Sequence, residues 1–89
     1  MDVRRLVGEN VRQIRLSAGL SQEELAERMG VDRAYVSGLE LGQRNPTIVT
    51  LWHTAEALKV PIAKLLEATD HSPNSTVPKR KRAPRRVST

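Results

Sequence analysis

The 26 residues from Ser21 to Pro46, SQEELAERMGVDRAYVSGLELGQRNP, hold start and stop signals for two short helices with only a few residues between them. Ser21 followed by Glu24 is the capping-box pattern, in which a hydroxyl and a carboxylate each satisfy a backbone N–H that the first turn leaves open. Leu20 and Leu25 are spaced as the apolar pair that staples such a start, and Gly30 stands where a helix ends in the left-handed conformation. The pattern predicts a first helix over about Gln22 to Met29. Asp32 then offers a carboxylate to the next open N–H groups, Val31 and Val36 repeat the staple, and Gly42 supplies the second stop.

The flanking sequence reads as further helices. Val7, Val11, Ile14 and Ala18 fall on one helical face that ends at Gly19, with Arg4, Arg5 and Arg12 mainly elsewhere. Thr47 can cap a fourth helix that carries Ile48, Leu51, Ala55 and Leu58 inward. Lys59-Val60-Pro61 ends it, and Pro61 is tolerated at the start of a short fifth helix bearing Ile62, Leu65 and Leu66. Five helices without a strand signal predict an all-α domain over residues 1–69. From Asp70 the composition changes to small polar residues, three prolines and a basic cluster, so residues 70–89 are expected to be disordered when free.

Eighty-nine residues allow one small domain, and a core of that size is thermodynamically thin, which favours self-association. With no cysteine, disulfides and zinc–thiolate sites are excluded. No apolar run approaches the ~18 residues of a membrane span and the N-terminus lacks a signal-peptide core, so no membrane association and a cytoplasmic location are expected. The net charge of +5 is unevenly placed: residues 1–69 hold nine Lys/Arg and nine Asp/Glu, whereas residues 70–89 hold six Lys/Arg and one Asp. Any attraction of the folded part for nucleic acid must therefore come from a local patch.

Two helices a few residues apart make a helix-turn-helix, whose second member is the right size to enter a DNA major groove. Its exposed face would read bases through Arg33, Ala34, Tyr35, Ser37 and Gly38. Arg33 leads them, since a guanidinium pairs bidentately with guanine O6 and N7 for ~1–3 kcal/mol of discrimination. A phosphate contact or a plain exposed first-turn residue is the alternative. Tyr35 suits a phosphate or a thymine methyl rather than the core, because Val36 and Leu39 already claim the buried stripe. Gly38 inside a helix costs ~1 kcal/mol relative to alanine, which implies close approach of its backbone either to DNA or to a neighbouring helix. Gln22, in the first turn of the preceding helix, is placed for a phosphate oxygen, the alternative being a tolerated surface residue.

The stretch GLSQEELAERMGVDRAYVSGLELGQRNPT resembles the lambda-type and Xre-type helix-turn-helix repressors, and DRAYVSG with RNPT resembles especially the small controller proteins of restriction-modification systems. The resemblance implies a compact five-helix, lambda-repressor-like DNA-binding domain. It implies a sequence-specific transcriptional regulator that binds a pseudo-palindromic operator in double-stranded DNA as a homodimer, in a bacterial or phage setting at the nucleoid. It further implies that Arg44 meets DNA at the groove edge with Asn45 on the backbone, a solvated turn arginine being the alternative. Arg15 and Glu40 stand where such proteins commonly form a partly buried structural ion pair. Ala34 and Gly38 depart from the polar side chains that many members carry there, which concentrates direct reading in fewer residues and in apolar contact with thymine methyls.

Trp52 belongs either to the margin of the core or to a dimer contact with Val49, Ile62 or Leu66. His53 and Glu56 share a helix edge, but a metal needs three or four converging ligands, so a solvated face is expected and neither metal nor cofactor is implied. An enzyme is not expected either: there is no cysteine nucleophile and no glycine-rich phosphate loop. The tail is read as a solubilising end or as a flexible attractor of DNA phosphates. A protein partner for it, as in an antitoxin, is the competing reading, weakened because Val77, Ala83 and Val87 are its scattered apolar anchors.

Overall fold

Each helix begins or ends where a side chain or a turn completes its backbone hydrogen bonds. The computed structural model describes residues 2–68, which form α1 (Val3–Ser17), α2 (Gln22–Met29), α3 (Arg33–Glu40), α4 (Ile48–Leu58) and α5 (Ala63–Leu66), with no strand among the described residues. This is the expected all-α, five-helix architecture. The boundary at residue 69 and the basic tail lie outside the described residues.

At the start of α2 both halves of the capping box are made: the Glu24 N–H donates to Ser21 Oγ at 3.0 Å and the Ser21 N–H donates to Glu24 Oε1 at 2.8 Å. Those bonds hold the Glu24 carboxyl below its ordinary value, the Ser21 backbone N–H contributing most and its hydroxyl next. At α4 the Thr50 N–H donates to Thr47 Oγ1 at 3.1 Å. Asp2 caps α1 in the same way, accepting the Arg4 N–H at 3.0 Å.

The start of α3 differs from expectation. Asp32 occupies the cap position, yet its carboxylate accepts no backbone N–H. The Tyr35 N–H donates instead to the Asp32 carbonyl at 2.9 Å, a tightened first turn that uses the donor a side-chain cap needs.

At the other ends, Gly30 and Gly42 take the left-handed conformation, with φ of 73° and 76°. Around Gly42 the Gln43 N–H reaches the Gly38 carbonyl at 2.9 Å and the Gly42 N–H reaches Leu39 at 3.1 Å, the double bond set of a Schellman stop. The α4 stop uses the same pair of bonds although its left-handed residue is Lys59, at φ 61°.

The core gathers Val7 and Val11 of α1, Leu25 and Ala26 of α2, Val36 and Leu39 of α3, Ala55, Ala57 and Leu58 of α4, and Leu65 of α5. In α1 the expected stripe ends early, because Ala18 is the exposed C-cap residue and Ile14 is half-buried. Two polar residues fill the gaps. Asn10 is buried, and its Nδ2 donates to the carbonyls of Leu65 and Glu67, both at 2.9 Å, which fastens the end of α5 to α1. Arg15 is buried against α3. At Gly8 the crossing of α1 and α3 is backbone to backbone, since any Cβ there would be driven into the carbonyl oxygens of Leu39 and Glu40.

In α4, Ile48 is not inward: it is 74% exposed. The buried face turns instead toward Thr54, which is fully buried because its hydroxyl donates to the Thr50 carbonyl at 2.8 Å and so needs no water. Once a threonine counts as core, the opposite face of the helix, with Ile48, Val49 and Trp52, is left outside. Trp52 is thus exposed rather than at the core margin.

Candidate nucleic-acid interface

Helix α3 is held firmly at its C-terminal end and presents its N-terminal end outward. Val36 and Leu39 fill the core beneath it, while Arg33 and Ala34 are exposed and Tyr35 and Ser37 half-buried.

The anchor is an ion pair. Arg15 Nε donates to Glu40 Oε2 at 2.6 Å and Arg15 Nη2 to Glu40 Oε1 at 3.1 Å, a two-point contact whose side chains are 9% and 3% exposed. A third donor, Nη1, reaches the Leu20 carbonyl at 2.8 Å, so the same guanidinium ties α1, the entry to α2 and the end of α3.

Gln22 extends this network to the surface. Its Nε2 donates to Glu40 Oε1 at 3.1 Å and its Oε1 accepts Arg33 Nη1 at 3.4 Å. The partners have opposite polarity, so the amide fits in one orientation only. The expected phosphate residue is therefore a link from the buried carboxylate to the leading base-reading candidate, with a second amide N–H left to donate.

At the opposite edge of α3, the Arg44 guanidinium carbon lies over the Tyr35 ring, 5.1 Å from its centre, in a cation–π arrangement. The stem of Arg44 runs across Gly38: a Cβ on that glycine would stand 3.0 Å from Arg44 Nε and 3.3 Å from Cγ. The close approach expected at Gly38 is thus made by a side chain from the following loop. Gly38 itself is buried, which differs from its expected place on the open reading face. Asn45 is exposed in the same loop, and Ala34 is exposed on α3.

The α4 and α5 residues expected at a dimer contact share the outside of the domain. Val49 is 60% exposed, Trp52 54% and Leu66 45%, with Ile62 half-buried. No group of three or more metal-ligating side chains gathers among the described residues. His53 and Glu56 stand 3.7 Å apart on an exposed face.

The sequence names candidate residues here but not the contacts that they make with one another. The Gln22–Glu40 and Arg44–Gly38 contacts join positions on different elements, for which the chain has no local signal. The only hint was the glycine inside a helix.

Comparison with known proteins gives a consistent result. The helix-turn-helix family model matches residues 11–65. An uncharacterised helix-turn-helix transcriptional regulator of Sinorhizobium fredii, y4dJ, is 46% identical over 76 residues, which are 85% of this chain and 99% of the relative. The control protein C.SmaI of Serratia marcescens is 44% identical over 74% of this chain and 79% of its own length. Among solved structures, the restriction-modification controller protein C.AhdI of Aeromonas hydrophila superposes with a TM-score of 0.68 at 42% identity, covering 70% of this chain and 94% of that one.

Proposed function

We propose that this chain, which belongs to the helix-turn-helix family of DNA-binding transcriptional regulators, acts as a controller-type regulator that binds a pseudo-palindromic operator as a homodimer, α3 of each copy lying in the major groove. The observation that carries this reading is the asymmetry of α3. Its C-terminal end is locked by the Arg15–Glu40 pair, while Arg33 and Ala34 at its N-terminal end are open to solvent. A reading helix needs both properties, because base contacts discriminate only when the side chains reach the groove edge at a fixed angle.

In this reading Arg33 pairs with a guanine, Ala34 meets a thymine methyl, and Tyr35 and Ser37 complete the base-reading edge, while Gly38 makes room for the Arg44 stem behind it. Gln22, Arg44 and Asn45 take phosphate oxygens on either side and set the register. Dimerisation buries Val49, Trp52, Ile62 and Leu66, which answers the apolar face left outside α4 and α5. Two copies then place their α3 helices in successive major grooves, ~34–36 Å apart. The six Lys/Arg of residues 70–89 add attraction to phosphates without reading sequence.

Selection of bound duplexes from random DNA tests the reading. The expected product is a two-fold related pair of half-sites about one helical turn apart. Arg33→Ala should then relax the preference at one base pair per half-site by ~1–3 kcal/mol. Equal weakening on every duplex would reassign Arg33 to the backbone, and enrichment of no sequence would overturn the proposal.

A further inference from the structure

Helix α1 also borders this surface. Gly38 lies inside α3, and Gly42, four residues on, makes the left-handed turn just past its end. Each is covered by an arginine from another element: Arg44 crosses Gly38, and Arg5 of α1 crosses Gly42. A Cβ built on Gly42 would stand 2.8 Å from Arg5 Cγ and 3.2 Å from its Cα, so the first turn of α1 rests directly on the turn that leads to Arg44 and Asn45. Arg44 thus lies on α3 itself and the base of Arg5 on the turn that follows it.

Their chemistry is not the same as that of the neighbouring arginine. Arg4 is committed to Asp2, with Nε 3.4 Å from Oδ1, and this contact is the main reason that the Asp2 carboxyl sits below its ordinary value. Arg5 is exposed and enters no ion pair among the described residues. Glu9, one turn along α1, is exposed and likewise makes no ion pair there. A guanidinium stays charged at every working pH, so Arg5 offers a full positive charge beside the loop proposed above as a backbone contact.

We propose that Arg5 is a DNA-backbone contact, which with Arg44 makes a two-arginine clamp for the phosphates flanking the groove entered by α3. This rests on the DNA-binding reading above and extends it to a helix outside the motif. The ligand is the phosphodiester backbone and no base is read, so the contact adds affinity that is independent of sequence and sensitive to salt.

The test is the affinity of the full chain for its selected operator and for an unrelated duplex, measured by fluorescence anisotropy across a range of salt concentrations. Arg5→Gln should flatten the slope of log affinity against log salt by about 0.9 for each protomer bound, weaken both duplexes alike and leave the preferred sequence unchanged. Arg5→Lys, which keeps the charge, should restore most of the slope. Lys64→Gln removes an equal charge on α5, which packs on α1 and α4, and should leave the slope as it was. An unchanged slope in Arg5→Gln overturns the proposal. So does equal flattening in Lys64→Gln, which would mark a general charge effect, or an Arg5→Lys variant as weak as Arg5→Gln, which would show that positive charge at this position is not what holds the DNA. If the chain prefers no duplex but Arg5 still sets the salt slope, the operator reading fails and the clamp stands.

Discussion

The crossing of α1 with α3 and the outer face of α4 break the usual division of polar and apolar residues in opposite directions. At the crossing, Arg15 and Glu40 are buried and hydrogen-bonded to each other at two points within the protomer. On α4, Ile48, Val49 and Trp52 are exposed, with nothing among the described residues to cover them. The difference separates two tasks. Buried polar groups with fixed partners define one angle between helices, which a reading helix requires, whereas uncovered apolar area has value only when a second surface meets it.

The largest test of that contrast is Arg15→Ala. It strands the Glu40 carboxylate in a site only 3% exposed and should cost about 3–5 kcal/mol in urea unfolding. Replacing both partners, Arg15→Met with Glu40→Leu, should recover most of this, because the loss comes from the unpaired charge. If the double variant is as unstable as the single one, the pair is needed for more than mutual neutralisation.

On the other face, Trp52→Glu should barely move the thermal midpoint of the protomer, since the side chain is 54% exposed. It should raise the dissociation constant of the proposed dimer at least tenfold, about 1.4 kcal/mol, by sedimentation equilibrium. A large fall in the midpoint without change in assembly would place Trp52 in the protomer's own stability and erase the contrast.

The smallest effect is expected at the α2 cap, which belongs to neither region and serves as their reference. The Glu24 carboxyl is lowered below its ordinary 4.5 by the Ser21 N–H and hydroxyl, so its stabilisation is present above that value and is lost as pH falls through the lowered one. The midpoint of the wild type should therefore exceed that of Glu24→Gln at neutral pH, and the gap should close in acid. A gap that persists in acid would show that the charge of Glu24 is not what stabilises the cap.

The limits of α2 and the presence of five helices were legible in the chain because caps and stops act within a few residues. The Ser21–Glu24 box and the Gly30 and Gly42 stops are examples. The reading of α4 failed at Ile48 for a reason that polarity patterns do not carry: Thr54 disposes of its hydroxyl inside its own helix and is buried like an apolar residue. Asp32 failed differently, through competition from its own carbonyl for the same N–H.

Sequence alone determined that this chain forms short, well-capped helices and that the third carries Arg33, Ala34, Tyr35 and Ser37 on one run, since those properties are local. Only the tertiary structure decided that Gln22 joins Glu40 to Arg33, that Arg44 covers Gly38 and that Arg5 rests on Gly42. Such contacts depend on where a second helix lies in space, as in the 25 residues that separate Arg15 from Glu40 and the 55 that separate Asn10 from Leu65. That position is set by the packing of the whole core, including the backbone contact at Gly8, and no single stretch of residues encodes it.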